Sequence, residues 1–262
     1  MWIILDYRRV VEVTGQDRHS FLQGLITQDV SKATPENPLY GLFLTPTGRF
    51  FCDFFIVATE NSFLLTPGTT MMESFIKKLS FYKLRSDVGL SVLPDWGVAV
   101  SLANDFSKVG HVFKDPRSNQ LGSLFIGPLD QLNPITFDRT PYEKHRLRLG
   151  IPEGPLDLEA EKSIPLENQM DEMGAIDWDK GCFLGQELTA RTKYVGEVRK
   201  RLLPFTAEAP CEPQTSLTTE EGEVVGRVIS VYEKGKRGFA LVRTDPFINT
   251  LYVLGTNIVL RF

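Results

Sequence analysis

Residues 180–187 bring together a thiol, an amine and two glycines, in the order Lys180-Gly181-Cys182-Phe183-Leu184-Gly185-Gln186-Glu187. Gly185 would let the backbone turn, and a short helix from Gln186 to Thr192 would point its first amides back at Cys182. A thiol beside an amine and a helix N-terminus has its thiolate form favoured. The segment therefore predicts a reactive Cys182 that is supported by Lys180.

An inert Cys182 is the alternative interpretation. The thiol would then be a small buried hydrophobic group, and Glu187 and Arg191 would form an i,i+4 ion pair on a helix surface. A single cysteine with no histidine close in sequence is weak support for nucleophilic chemistry. Spacing alone leaves both interpretations open.

Cysteine and histidine spacing argues against metal and disulfide sites. The three cysteines, Cys52, Cys182 and Cys211, are far apart and include no CxxC pair. The histidines also lack metal-ligand spacing, so no metal site is predicted. Because a 4Fe–4S cluster usually takes four thiolates, the three cysteines could not hold one by thiolates alone.

Asp53 is a further catalytic candidate because it lies within a phenylalanine-rich run, residues 50–55. We expect an acid in such a strand to lie near a site or to be paired with a cation. The alternative is an outward-facing strand residue. Cys52 in this run is expected to be inert, whereas Cys211 lies in a polar, proline-flanked stretch where exposure would let it react.

These residues need a mixed framework of helices and mainly antiparallel strands. Hydrophobic periodicity, glycine and proline positions predict the elements. They are a strand over 2–13, a helix capped by Asp17, a hairpin of strands 39–44 and 50–58, a strand over 63–66, a helix over 70–84, strands over 88–93 and 96–102, a helix from Pro141 to 149, an ordered loop over 153–179, and a small all-β module with strands over 223–232, 238–244 and 251–262.

Composition excludes several classes of function. The 262 residues carry a net charge of −4 and a pI near 5.5, which disfavours direct nucleic acid binding. No apolar run approaches the roughly 20 residues needed to span a bilayer, so no membrane association is expected. The N-terminus has no recognisable leader, and we expect a cytoplasmic protein.

The octapeptide of residues 180–187 resembles the signature of the YgfZ family, which is related to the glycine-cleavage T-protein. The resemblance is strongest to the branch containing the mitochondrial iron–sulfur assembly factor and its alphaproteobacterial relatives. Phe183 stands where tyrosine is commoner, and Trp178 where phenylalanine is commoner. Further similar segments are 21–30, 46–49, 150–154, 164–168, 187–192, 198–202 and 226–230.

The resemblance implies an α+β, T-protein-like cloverleaf. Two α+β lobes over residues 1–200 would surround a central folate channel, and residues 201–262 would form a small C-terminal β-barrel. The implied cofactor is tetrahydrofolate or a derivative. The implied partners are folate, iron–sulfur assembly proteins and 4Fe–4S client enzymes.

The resemblance also assigns roles to individual residues. Glu167 would hold the pterin, Tyr142 would stack on it, and Asp53 stands where the T-protein has its catalytic aspartate. The folate tail would be neutralised by a basic set, namely Arg191, Arg199, Lys200 and Arg201. The alternatives are a solvated loop carboxylate for Glu167, core packing for Tyr142 and a solvated face for the basic set.

The implied function is that of an accessory factor that assembles or repairs 4Fe–4S clusters, with no independent turnover. A second hypothesis is a folate-dependent aminomethyltransferase, in which Asp53 assists transfer of a one-carbon unit. Against it, Thr66-Pro67-Gly68 replaces the asparagine-bearing segment of T-proteins. A third is an effect on tRNA modification through iron–sulfur enzymes, without RNA binding.

Overall fold

The computed structural model describes residues 1–103, 110–244, 250–253 and 259–261. The helices are α1 Arg18–Gln23, α2 Met72–Lys83, α3 Thr140–Arg148, α4 Gly154–Asp157 and α5 Gln186–Tyr194. The strands are β1 Trp2–Ile4, β2 Val10–Thr14, β3 Leu39–Leu44, β4 Phe50–Ala58, β5 Phe63–Leu65, β6 Gly89–Leu93, β7 Trp96–Ser101, β8 His111–Lys114, β9 Ser123–Pro128, β10 Ile135–Thr136, β11 Lys200–Ala207, β12 Ser216–Thr218, β13 Val224–Tyr232, β14 Arg237–Arg243, β15 Thr250–Val253 and β16 Val259–Arg261.

The first lobe is an antiparallel sheet in the order β3-β4-β5-β2-β6. Its β3–β4 hairpin has the predicted bounds, and its turn contains Gly48 at φ +66°, a conformation that favours glycine. Phenylalanines on the two faces of β4 enter two different cores. Phe55 joins the central core, whereas Phe54 packs against Phe75 of α2.

The second lobe is a sheet in the order β10-β1-β7-β9-β8, in which β1 and β10 are parallel. The single strand predicted over residues 2–13 is therefore wrong: β1 belongs to this sheet and β2 to the first. The chain leaves β1 at Leu5, and the guanidinium of Arg8 turns inward to buried carboxylates. That crossing joins the lobes, whose inner faces share one hydrophobic core.

Strands β11 to β16 close into a barrel in the order β11-β14-β13-β12-β15-β16. Part of the strand predicted over 251–262 lies outside the described residues. The segment predicted as a loop, 153–179, instead contains α4 and a 3-10 turn, Pro165–Asn168. The predicted α+β fold with a C-terminal barrel is confirmed.

Candidate functional site

Residues 180–187, which we call the signature loop, present Cys182 to solvent. Gly185 has φ +81°, and a Cβ there would lie 2.5 Å from the carbonyl oxygen of Thr45, so only glycine fits. The chain then enters α5 at Gln186, as expected. Cys182 is exposed and the neighbouring Phe183 is buried. The interpretation of Cys182 as a buried hydrophobic group is therefore wrong.

The alternative surface pair on α5 is not formed. Within the described residues, no ion pair joins Glu187 to Arg191, although both side chains are exposed. Arg191 instead lines a cavity beside the helix.

Lys180 is directed away from solvent, at 7% exposure. Its ammonium donates to the carbonyl oxygens of Gln23, Ile26 and Gln28 at 2.7–2.8 Å. Burial lowers the pKa of Lys180 to about 8, although Asp29 and Asp177 oppose that shift. All three N–H groups of the ammonium are thus used by backbone acceptors. The expectation that Lys180 serves to activate the Cys182 thiol finds no support in these contacts.

A cavity of about 340 Å³ adjoins α5 and contains two of the predicted folate-binding residues, Glu167 and Arg191. Its walls come from the β3–β4 turn, the 3-10 turn 165–168 and α5, with Arg49 as a second cation. No described residue hydrogen-bonds the Glu167 carboxylate. Partial burial raises the pKa of Glu167, against the opposing effect of Lys200 and Arg49.

The other predicted arginines lie elsewhere. Arg199 is highly exposed, and its Nε is 3.8 Å from Glu197 Oε2. Arg201 Nη1 lies 2.5 Å from Glu172 Oε1. Neither lines the cavity that contains Glu167. The alternative of a solvated face describes these two arginines better.

Asp53 belongs to a buried cluster that links the two lobes. Arg8 Nη2 donates to Asp53 Oδ2 at 2.7 Å and to Glu153 Oε2 at 2.6 Å, and Tyr40 donates its hydroxyl to Asp53 Oδ2 at 2.7 Å. The outward-facing alternative for Asp53 is wrong, because its side chain is 1% exposed. Asp53 Oδ1 has no hydrogen-bond partner among the described residues and lies against Gly154, where a Cβ would be 2.1 Å away.

The same cluster continues into the second lobe and includes Tyr142. Arg117 donates to Glu153 Oε1 at 2.6 Å, to Asp115 Oδ2 at 2.7 Å and to the Tyr142 hydroxyl at 2.8 Å. Tyr142 in turn donates to Glu153 and is fully buried. Its predicted stacking on folate is corrected accordingly: the ring is inside the protein core. We call Arg8, Asp53, Asp115, Arg117 and Glu153 the central ionic cluster.

Sequence reasoning missed four members of this cluster, namely Arg8, Asp115, Arg117 and Glu153. Glu153 lies in a segment that carries the family resemblance, residues 150–154, which was the available signal. Nothing in the spacing of Arg8 and Arg117 indicated that they would meet one carboxylate. Such a pairing depends on the packing of two sheets.

The remaining cysteines are both buried. Burial raises the pKa of Cys52 well above its ordinary value, with Asp53 adding to the shift, in keeping with an inert thiol. Cys211 was expected to be exposed, and that is wrong. It donates to the Gly235 carbonyl oxygen at 3.2 Å within the barrel core, and burial raises its pKa.

Comparison with solved structures shows the fold. The glycine cleavage system aminomethyltransferase T from Bartonella henselae superposes with a TM-score of 0.78 over 99% of this chain and 84% of that one. The sequences are 12% identical, so the likeness concerns the fold alone.

Sequence comparison identifies the family. The family description "CAF17, C-terminal beta-barrel domain" matches residues 199–261. The mitochondrial iron–sulfur cluster assembly factor IBA57 homolog of Pyricularia oryzae is 33% identical over 92% of this chain and 71% of its own length. The chain belongs to the IBA57-like CAF17 family. The mouse IBA57 protein is 30% identical over 95% of this chain and 79% of its own.

Some IBA57 relatives are considerably longer than this chain. In three further fungal proteins the chain covers 52% to 56% of their length. The relatives are named as mitochondrial proteins, and on that finding the expected cytoplasmic location is wrong. The expectation relied on not recognising a leader, which says nothing about a compartment. Within the described ranges, the helices are too short or too polar to cross a membrane.

Proposed function

We propose that this chain is an accessory factor that supports assembly or repair of 4Fe–4S clusters in client enzymes, with Cys182 as its working thiol. The main support is the position of Cys182. Its thiol is exposed on a loop that leads directly into α5, and α5 also forms one wall of the cavity containing Glu167. The loop that carries the thiol and the cavity therefore both adjoin α5. The names of the family members support the iron–sulfur role.

Tetrahydrofolate or a derivative is the ligand we propose for that cavity. A pterin offers adjacent N–H donors, which a free carboxylate such as Glu167 can accept, and the glutamate tail suits Arg191 or Arg49. The volume of about 340 Å³ lies within the usual range for small-molecule sites. When bound, the reduced pterin supplies a one-carbon carrier. Tyr142 and the central ionic cluster take no part in holding it.

The proposed partners are iron–sulfur assembly proteins and 4Fe–4S client enzymes, with no direct nucleic acid contact. Any effect on tRNA modification would then pass through iron–sulfur enzymes. We further propose that residues 1–200 bind folate and that residues 201–262 act as a barrel module.

An aminomethyltransferase is the second candidate, since an enzyme of that name shares the fold. It would need Asp53 to reach substrate. Asp53 is instead buried, with Oδ2 bound by Arg8 and Tyr40 and Oδ1 packed against Gly154. We therefore expect no transferase turnover. Reconstitution with a lipoyl carrier protein and tetrahydrofolate tests this directly, and formation of methylene-tetrahydrofolate at enzymatic rates would reverse the order of the two candidates.

Gene deletion tests the assembly function. Activities of several 4Fe–4S enzymes and several 2Fe–2S enzymes are measured in cells lacking the gene, with and without a wild-type copy. We expect selective loss of the 4Fe–4S activities and recovery with the wild-type copy. Equal activities of both classes with and without the gene would refute the function.

A further inference from the structure

The carbonyl groups around Lys180 lie at the end of α1 and in the turn that follows it, residues 24–28. Helix α1 ends at Gln23, and the last carbonyl groups of a helix have no partner within it. The chain then turns through residues 24–28 before reaching Asp29. Lys180 satisfies the carbonyls of Gln23, Ile26 and Gln28 from a single buried atom. One ammonium group thus joins the signature loop to the end of α1 and to the turn after it.

Other hydrogen bonds join the same two segments on either side of Lys180. Before it, the Asp177 amide donates to the Thr27 carbonyl at 2.9 Å, and the Thr27 hydroxyl donates to the Ala175 carbonyl at 2.6 Å. After it, the Leu184 amide donates to the Gly24 carbonyl at 3.0 Å. The chain is thus hydrogen-bonded to the turn both before and after Cys182.

Cys182 lies in the short stretch between the hydrogen bonds of Lys180 and Leu184. Lys180 precedes it with its side chain buried, and Phe183 and Leu184 follow with a buried ring and a paired amide. Phe183 also lies 5.3 Å from the Lys180 ammonium, a distance that permits a cation–π contact. Gly181 and Cys182 themselves are exposed, and a Cβ at 181 would meet nothing within 4 Å. The thiol is held outward at the top of a loop anchored on both sides.

We propose that Lys180 is a positioning residue, which fixes where the Cys182 thiol is presented by tying the signature loop to the turn after α1. The inference rests on the proposed function only in treating Cys182 as the working group. Lys180 acts through the backbone carbonyls it binds, and its charge matters because an ammonium supplies three donors to three acceptors.

The test compares Lys180→Met with Lys32→Met. Methionine keeps the length of the side chain and removes all donors. Lys32 provides the matched control, because its ammonium lies 2.5 Å from Asp177 at the same junction but is largely exposed. The Asp177 side chain is buried, but solvent screens the half-exposed Lys32, so this pair contributes less than a fully buried one. Amide hydrogen exchange at Leu184 and alkylation of Cys182 by a small and a bulky reagent are measured in both variants.

In Lys180→Met we expect Leu184 exchange to accelerate at least tenfold and the small-to-bulky rate ratio at Cys182 to rise above its wild-type value, because the thiol is no longer held outward, with Cys52 and Cys211 still protected. Lys32→Met should behave as wild type. Protection of the other two thiols separates loosening of the loop from general unfolding. If Lys180→Met does not fold, Lys180→Gln keeps two donors and should show a smaller change in the same direction.

The pH profile of Cys182 alkylation distinguishes positioning from electrostatic activation. Under positioning, the midpoint of the profile is the same in wild type and in the Lys180 variant. Unchanged Leu184 exchange together with a midpoint moved to higher pH would overturn the proposal. Neither measurement depends on iron–sulfur activity, so failure of the positioning role and failure of the proposed function remain distinguishable.

Discussion

Asp157 of α4 and Arg146 of α3 form a fully buried ion pair, with Oδ2 lying 2.6 Å from Nη1. The other oxygen of Asp157 accepts from Ser230 and Tyr232 of the barrel strand β13, at 2.5 and 2.6 Å. One carboxylate thus connects the lobes to the C-terminal barrel. The Arg146 guanidinium also lies 4.7 Å from the Tyr232 ring.

Asp157→Ala should destabilise the protein by about 3–5 kcal/mol, because removing one partner leaves a buried charge unpaired. Chemical denaturation measures the loss. Lys162→Met is the control, since the Lys162 side chain that pairs with Glu159 is exposed and its loss should change stability by less than about 1 kcal/mol. Equal effects of the two variants would contradict this account of the lobe–barrel junction.

The central ionic cluster should make the protein sensitive to acid. Burial by itself would raise the pKa of Glu153, but Arg117, Arg8 and Arg146 hold it well below its ordinary value of 4.5. A carboxylate with a depressed pKa stabilises the fold above its unfolded pKa, and that stability is lost as protons bind at lower pH.

We therefore expect the free energy of unfolding to fall as pH decreases below 4.5. Glu153→Gln should lower stability at neutral pH and flatten this dependence. Denaturant titrations of both proteins across that range measure the two slopes. An unchanged slope in Glu153→Gln would show that other carboxylates govern the acid response.

Tetrahydrofolate binding should depend on the Glu167 carboxylate. Hydrogen bonds to a charged group contribute about 1.5–3 kcal/mol, so Glu167→Gln should weaken binding by roughly ten- to a hundredfold. Because partial burial raises the pKa of Glu167, affinity should also decline as pH falls through a value above 4.5. Calorimetry with wild type, Glu167→Gln and the surface control Glu60→Gln measures both effects. Equal affinities in all three proteins would show that folate does not bind in the cavity that contains Glu167.

The three thiols should alkylate in the order set by their burial. Cys182 is exposed, whereas Cys52 and Cys211 are buried and their pKa values are raised. Mass spectrometry after brief treatment with a small reagent should find Cys182 modified first. In the denatured protein the three thiols should be alkylated at similar rates. Faster modification of Cys52 than of Cys182 in the folded protein would make Cys182 a packing residue.

Local signals predicted the elements that depend on local chemistry. The β3–β4 hairpin, the αL glycine at 185 and the start of α5 followed from turn residues and periodicity. Contacts across the lobes were not accessible in this way. Tyr142 is buried, and Lys180 binds three carbonyl groups, through contacts between segments that are far apart in sequence. Residue spacing does not predict such contacts.

The most direct test of the central claim is complementation of the deletion strain with Cys182→Ala, beside wild type and Cys52→Ala. Activities of 4Fe–4S enzymes are measured, and immunoblots confirm equal amounts of protein. The account predicts that Cys52→Ala restores these activities and Cys182→Ala does not. Full restoration by Cys182→Ala would contradict a working role for the exposed signature thiol.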